Sequence, residues 1–293
     1  MSSGALLDVA LTGVVMGGIY ALIAVGLNLQ YGLMRILNVS HGEAVMVGAY
    51  LTHWLYTSYG INPFLSLLVT LPVIFLMGLG FHRLLFGRLI KRAGSGEALE
   101  SDSLVISFGL IFILQNVVFL IWGGEIKGYS YLNVSVELGG SLYAANRLVA
   151  FAVAAALCLG FYGFLRLAAT GRALRALMQD RMGAELIGIK VGRFHALCFG
   201  LGLAMAGITG SLLSMVFELT PDMGLSYTVT ALIIIILGGL GNILGSLVGA
   251  VILGLLEVMG ERLLGPDMKT IIMYVAFMAI LLIRPRGLLG TKG

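Results

Sequence analysis

Residues 17–51 read GGIYALIAVGLNLQYGLMRILNVSHGEAVMVGAYL. Two apolar runs flank a short polar interval, and neither run alternates with a period of two. In lipid the backbone polar groups have no water to bond, so such runs must be helices, and the missing alternation excludes a membrane barrel. The second run opens on Asn38, His41 and Glu43, with Gly42 between the two ionisable residues.

The same texture continues in both directions. Of 293 residues, 59% are hydrophobic and 11% charged, and mean hydropathy is +1.03, where a soluble chain has about 25% charged residues. Apolar stretches cover 5–31, 36–58, 62–86, 103–122, 146–168, 195–218, 225–240, 242–260 and 268–284. The expectation is an all-α integral membrane protein with about 8–9 membrane-embedded helical elements, forming a single transmembrane domain over residues 1–293. The first stretch is read as a retained span: Asp8 stands where a signal peptide is basic, and the run exceeds the usual ~7–15 residues. The two stretches between 225 and 260 are near or below the ~20 residues needed to span. Gly238, Gly239, Gly241 and Asn242 divide them, which predicts a broken or re-entrant pair. Gly241, Gly245 and Gly249 repeat a small-xxx-small spacing and are read as a helix-packing ladder. Cys158 and Cys198 fall in apolar stretches and are read as free buried thiols.

Basic residues are retained on the cytoplasmic side more readily than they are translocated. With 169–194 inside, 14 of 18 Lys and Arg residues lie inside, including the tail at Arg284, Arg286 and Lys292. The outer side keeps Lys127, Arg147, Arg262 and Lys269 among more numerous acids such as Asp8, Glu218, Asp222 and Asp267. The N-terminus is then periplasmic and the C-terminus cytoplasmic. The sequence pI near 9.1 reflects loop charge facing anionic headgroups and gives no warrant for nucleic-acid binding.

Two segments carry candidate function. TGRALRALMQDRMGAELIGIKVGRF, from Thr170, has helix-forming composition but is too polar to cross a bilayer, so it should form short helices lying across the cytoplasmic face. Arg172, Arg175 and Gln179 share one face, with Ala173, Leu177, Ala184 and Ile187 on the other. Such a helix docks into a partner's groove or rests on lipid headgroups. In the other segment, Asn38, His41, Gly42 and Glu43 either line a translocation path or act as helix-start and packing groups at the interface. Glu257, near the outer end of its stretch, is assigned no role. No GxxxxGK[ST] phosphate loop, HExxH or GxSxG occurs, and the four His residues are dispersed. The chain is therefore not read as an enzyme, with no catalytic residues, metal site or cofactor of its own.

Three stretches, GGIYALIAVGLNLQYGLMRILNVSHGEAVMVGAYL from Gly17, GRALRALMQDRMGAELIGI from Gly171 and ILGGLGNILGSLVGAVILGLLE from Ile236, together with RPRGLLG from Arg284, resemble the branched-chain amino acid ABC permease family, the LivH-like membrane subunits. The resemblance implies an importer of the bacterial inner membrane. A periplasmic solute-binding protein delivers the solute, a second, related but distinct permease chain completes the path, and two cytoplasmic ATPase subunits hold ATP and Mg. It also implies that the segment 170–190 couples to the ATPase through Gly171, Arg172, Ala173, Ala176, Asp180, Ala184, Gly188 and Ile189. Alternating access moves the solute, a branched-chain or related small amino acid; urea, short amides or aromatic acids are the alternative cargo. A secondary transporter independent of any ATPase and an intramembrane enzyme are competing readings.

Overall fold

A computed structural model describes residues 3–92, 95–138, 141–265, 269–284 and 287–289. The tail residues Arg286 and Lys292, and Asp267 on the opposite side of the charge bookkeeping, lie outside these. The helices are α1 (Ser3–Met34), α2 (His41–Tyr59), α3 (Pro63–Phe81), a π-helical turn (His82–Phe86) leading into α4 (Gly87–Arg92), α5 (Gly96–Trp122), α6 (Ala145–Leu167), α7 (Ala169–Gln179), α8 (Arg181–Leu186), α9 (Val191–Leu213), α10 (Met223–Gly238), α11 (Ile243–Leu264) and α12 (Lys269–Ile283). Each apolar stretch of the sequence falls on one of them. By length and composition, six segments suffice to cross a membrane: Asp8–Met34, Pro63–Arg92, and helices α5, α6, α9 and α11. The helix Met223–Gly238 and the stretch Ile271–Ile283 are shorter apolar helices, and α2, which carries His41, Glu43 and His53, is outside the six. One small departure from all-α is an antiparallel hairpin, β1 (Ser135–Leu138) with β2 (Ser141–Ala144).

Burial sorts the helices into two shells. The apolar windows of α1 and α9 are 78% and 83% buried, against 22–28% for Pro63–Arg92, α5 and α6. A helix apolar on all sides with little of it covered by protein needs an apolar solvent, so the outer shell faces lipid and the inner pair forms the core. α1 runs antiparallel to α11 and to α9: Gly17 lies against Ala250 and Gly32 against Gly241, while Gly26 meets Gly202. α3 packs antiparallel to α9 on its other side, Gly78 against Gly200.

The Gly26–Gly202 crossing shows why these positions are small. A Cβ on Gly26 would stand 2.6 Å from the Gly202 carbonyl oxygen, so the two backbones are already at contact. Lipid tails are as apolar as leucine, and helices in lipid gain from this close packing what helices in water gain from burial.

The stretch read over 242–260 as near or below spanning length is α11, which runs on to Leu264 and is long enough to cross a membrane. Two other boundaries differ from the sequence reading in a way that affects function. The second apolar stretch is not helical from residue 36: α1 ends at Met34, and residues 35–40 run back without helical structure before α2 begins at His41. The hydrophobic Ile36 and Val39 in that interval reflect burial and not helix, and both are buried. The chain reverses at Arg35, whose φ of 54° is left-handed, a position that usually takes glycine. The polar segment after Thr170 forms short helices, as its composition predicts, and they divide at Asp180, which is extended, with φ −147° and ψ 103°.

Gly26→Val is expected to cost about 1–3 kcal/mol by overpacking. Gly109→Val, on the outer face of α5 with nothing within 4 Å of its Cβ, is expected to stay within about 0.5 kcal/mol. Thermal unfolding of both purified variants in one detergent, followed by a thiol-reactive dye reaching the buried Cys158 and Cys198, measures the difference.

Candidate functional site

The site is built from what α1 offers to the two helix breaks. Asn28 lies on the buried side of α1 and clamps the α10–α11 turn: its Nδ2 donates to the Asn242 carbonyl at 2.8 Å and to Ser246 Oγ at 2.6 Å, and its Oδ1 accepts from the Gly241 N–H at 2.6 Å. Asn242 caps α11, its Oδ1 accepting from Gly245 N–H at 3.0 Å. Gly241, with φ +80°, sits in this turn and not on α11 with the other two, and there its backbone packs against Gly32 of α1. Gly245 and Gly249 are on α11, both against Gly238 of α10.

Two residues further along α1, Gln30 serves the second break. Its Nε2 donates to the Phe199 carbonyl on α9 at 3.0 Å, and its Oε1 accepts from Asn38 Nδ2 at 3.1 Å. Asn38 Oδ1 in turn accepts from Ser40 Oγ at 2.7 Å. Ser40 stands at the N-cap of α2 but makes no side-chain cap bond, because its hydroxyl is committed to Asn38. Neither Asn28 nor Gln30 was singled out from the sequence; the available signal was an amide pair two residues apart inside an otherwise apolar helix.

Residues 35–40 carry the start of α2 deep into the bundle. His41 Nε2 is 3.2 Å from the carbonyl oxygen of Ile23, which lies eleven residues before the end of α1, or roughly 16 Å at 1.5 Å per residue. Six extended residues reach about 20 Å, enough to make that return. Asn38, His41, Gly42 and Glu43 are therefore all buried, with Asn38 beside Gln30, about one turn from the end of α1, and His41 beside Ile23, about three turns from it.

The first turn of α2 meets the first turn of α10. Gly42 N–H donates to Thr228 Oγ1 at 2.8 Å, and the Glu43 carboxyl lies against Gly224, where a Cβ would stand 2.6 Å from its oxygens. Glu43 Oε1 accepts from Gln115 Nε2 of α5 at 3.2 Å. Among the described residues Glu43 Oε2 and His41 Nδ1 have no partner. Gln115 also lines a cavity of about 430 Å³ with Asn116, Thr220 and Asp222. Two helix N-termini, each partially positive, thus converge beside two carboxylates. A larger cavity of about 790 Å³ is lined by Tyr20, Glu218, Tyr227 and Glu257, and Tyr20 donates to Glu257 at 3.4 Å, so Glu257 faces the protein interior, a position its place near a helix end did not reveal.

The segment after Thr170 is held at the far end of α6. Arg172 donates to the Leu167 carbonyl at 2.6 Å and Arg175 to that of Leu165 at 2.9 Å, satisfying carbonyls that the end of α6 leaves open. Gly171 packs on the backbone of Phe164 and Leu165, with Ala173 and Ala176 half-buried beside it. Asp180 caps α8, accepting from Gly183 N–H at 3.1 Å. Ala184 is buried, Ile189 half-buried, and Gly188, with φ +88°, closes the segment. Because Asp180 breaks the helix, the face expected for Ile187 is wrong: it does not continue that of Leu177 and Ala184, which are buried, but is 75% exposed with Met182 and Leu186 at 76% and 84%.

Asn28→Leu removes these bonds at once and strands buried partners, so a loss of about 3 kcal/mol is expected, read as a lowered unfolding temperature in detergent. Asn116→Leu, whose amide bonds only its own helix and is exposed, is the control that should leave it unchanged.

The sequence profile of the family described as "Branched-chain amino acid transport system / permease component" matches residues 9–281. The chain is 30% identical over 301 residues to the high-affinity branched-chain amino acid transport system permease protein LivH of Salmonella typhimurium, covering 95% of this chain and 93% of that one. It is 27% identical to the permease protein BraD of Pseudomonas aeruginosa, with 95% and 94% covered. It is 26% identical to LivM of Escherichia coli, with 92% of this chain and 68% of that one covered. A chain with these buried helix breaks and membrane-length helices, matched nearly end to end, is a multi-pass membrane protein and belongs to the permease family of branched-chain amino acid transport systems.

Proposed function

We propose that this chain is the membrane subunit of an ATP-binding-cassette importer that carries branched-chain or related small amino acids across the bacterial inner membrane. A second, LivM-like permease chain completes the path, a periplasmic binding protein loads it, and two ATPase subunits, holding ATP and Mg, drive it. The observation that carries the coupling is α8: a short helix that Asp180 caps, following directly on α7, which Arg172 and Arg175 fix to α6, with Met182, Leu186 and Ile187 uncovered. Apolar side chains on a polar surface segment fit a groove in a partner protein. On this reading the end bearing α7 and α8 is cytoplasmic and the N-terminus periplasmic, with α10 and α11 as the broken pair within eight or nine embedded elements.

Alternating access then follows from mechanics. ATP binding draws the two coupling segments together, α6 and α9 follow, and the helix N-termini at Gly42 and Gly224 open toward one side or the other. The amino-acid cargo is favoured over urea and amides by the site's charges: Glu43 and Asp222 suit an ammonium group, and the N-termini of α2 and α10 suit a carboxylate.

Replacing Asp180 and Arg172 by alanine, or Leu186 by glutamate, is expected to abolish solute-stimulated ATPase activity and uptake while the permease stays in the membrane at normal level. Normal values in both assays refute the coupling assignment, and uptake that persists with the ATPase subunits deleted favours a secondary transporter. Glu43→Gln, which keeps the bond to Gln115 but removes the charge, is expected to lower amino-acid uptake by roughly tenfold or more with no loss of thermal stability.

A further inference from the structure

A third cavity, of about 820 Å³, lies at the α8 end of the bundle, between the α3–α4 junction, α8 and the start of α9. Its wall carries five cations, Arg83, Arg88, Lys91, Arg181 and Arg193, against one carboxylate, Glu185, which is paired to Arg181 at 3.3 Å. Val191, Gly192 and Arg193 form the N-terminus of α9, which no side chain caps. A helix N-terminus among arginines and lysines is built for an anion.

Two buried histidines give independent support. His82 and His195 line the same cavity, are 7% and 3% exposed, and stand with ring centroids 6.4 Å apart. Among the described residues neither Nε2 has a hydrogen-bond partner, and a buried ring nitrogen without one is costly. The π-helical turn His82–Phe86 begins at one of them, a local widening that recurs at functional sites.

We propose that this cavity binds the phosphate of an anionic phospholipid headgroup. The lipid source follows from what adjoins it: Leu79 and Ile90 form an apolar wall, and Leu76 of the peripheral α3 and Leu84 of the π-helical turn, one to either side, are exposed. Acyl chains lie on that outer face while the phosphate reaches the cations and the α9 N-terminus. One headgroup thereby ties α4, α8 and α9 together, and a phosphate group there steadies the helix that carries Leu186. The binding itself stands apart from the proposed function, which supplies only the leaflet concerned.

The test is native mass spectrometry of the purified, delipidated full-length permease with phosphatidylglycerol or phosphatidylcholine added. Phosphatidylglycerol is expected to be retained roughly tenfold better than phosphatidylcholine. Arg88→Ala with Arg193→Ala, and separately His195→Leu, are expected to bring it down to the phosphatidylcholine level, while Arg88→Lys with Arg193→Lys restores the preference. All variants are first matched for monodispersity and unfolding temperature. Stabilisation by inorganic phosphate that the alanine pair abolishes, with no preference between lipids, identifies a soluble phosphate compound as the source and overturns the lipid assignment. Equal retention of the two lipids without any phosphate effect, or a preference unchanged in every variant, overturns the site. No transport or ATPase assay enters, so failure of the importer reading leaves this result intact.

Discussion

Backbone polar groups inside an apolar bundle must be satisfied wherever a helix stops, and this structure meets that demand with two amide side chains on one helix. Asn28 holds the turn between α10 and α11, and Gln30 holds the return of residues 35–40 and the carbonyl of Phe199 on α9. In water those groups would be solvated at little cost; in lipid each unsatisfied group costs several kcal/mol. The breaks exist because α1 supplies their partners, and α1 supplies them because it is the most enclosed helix of the outer-shell-and-core arrangement alongside α9.

Those breaks create the arrangement that a transporter needs. Continuous helices through the bundle would bury their termini at the two surfaces and leave nothing but side chains at mid-depth. Here α2 starts beside Ile23 and α10 starts beside Gly42, so two helix N-termini and the carboxylate of Glu43 share the interior. Gln30 also connects this interior to α9, whose N-terminus adjoins α8.

The apolar runs made the helices legible, because lipid leaves no other way to satisfy a backbone. Their charges and glycines made the surface segment and the α10–α11 break legible as well. Residues 35–40 were not, since Ile36 and Val39 carry the same hydropathy whether they are helical or extended. Hydropathy reports burial, and here burial and helicity part. The sequence predicts short helices after Thr170 but not the point where they divide: aspartate is tolerated within a helix, and only its capping of Gly183 shows that it starts a new one. Glu257 and Asn28 could be placed in sequence but not in depth, because depth depends on which helix each faces.

A photo-crosslinking residue in place of Leu186, introduced in cells that express the cognate ATPase subunits, tests the central claim most directly. The account predicts a covalent adduct with the ATPase subunit, formed from the cytoplasmic side. An adduct with lipid alone, or with a protein outside the cell membrane, would contradict it.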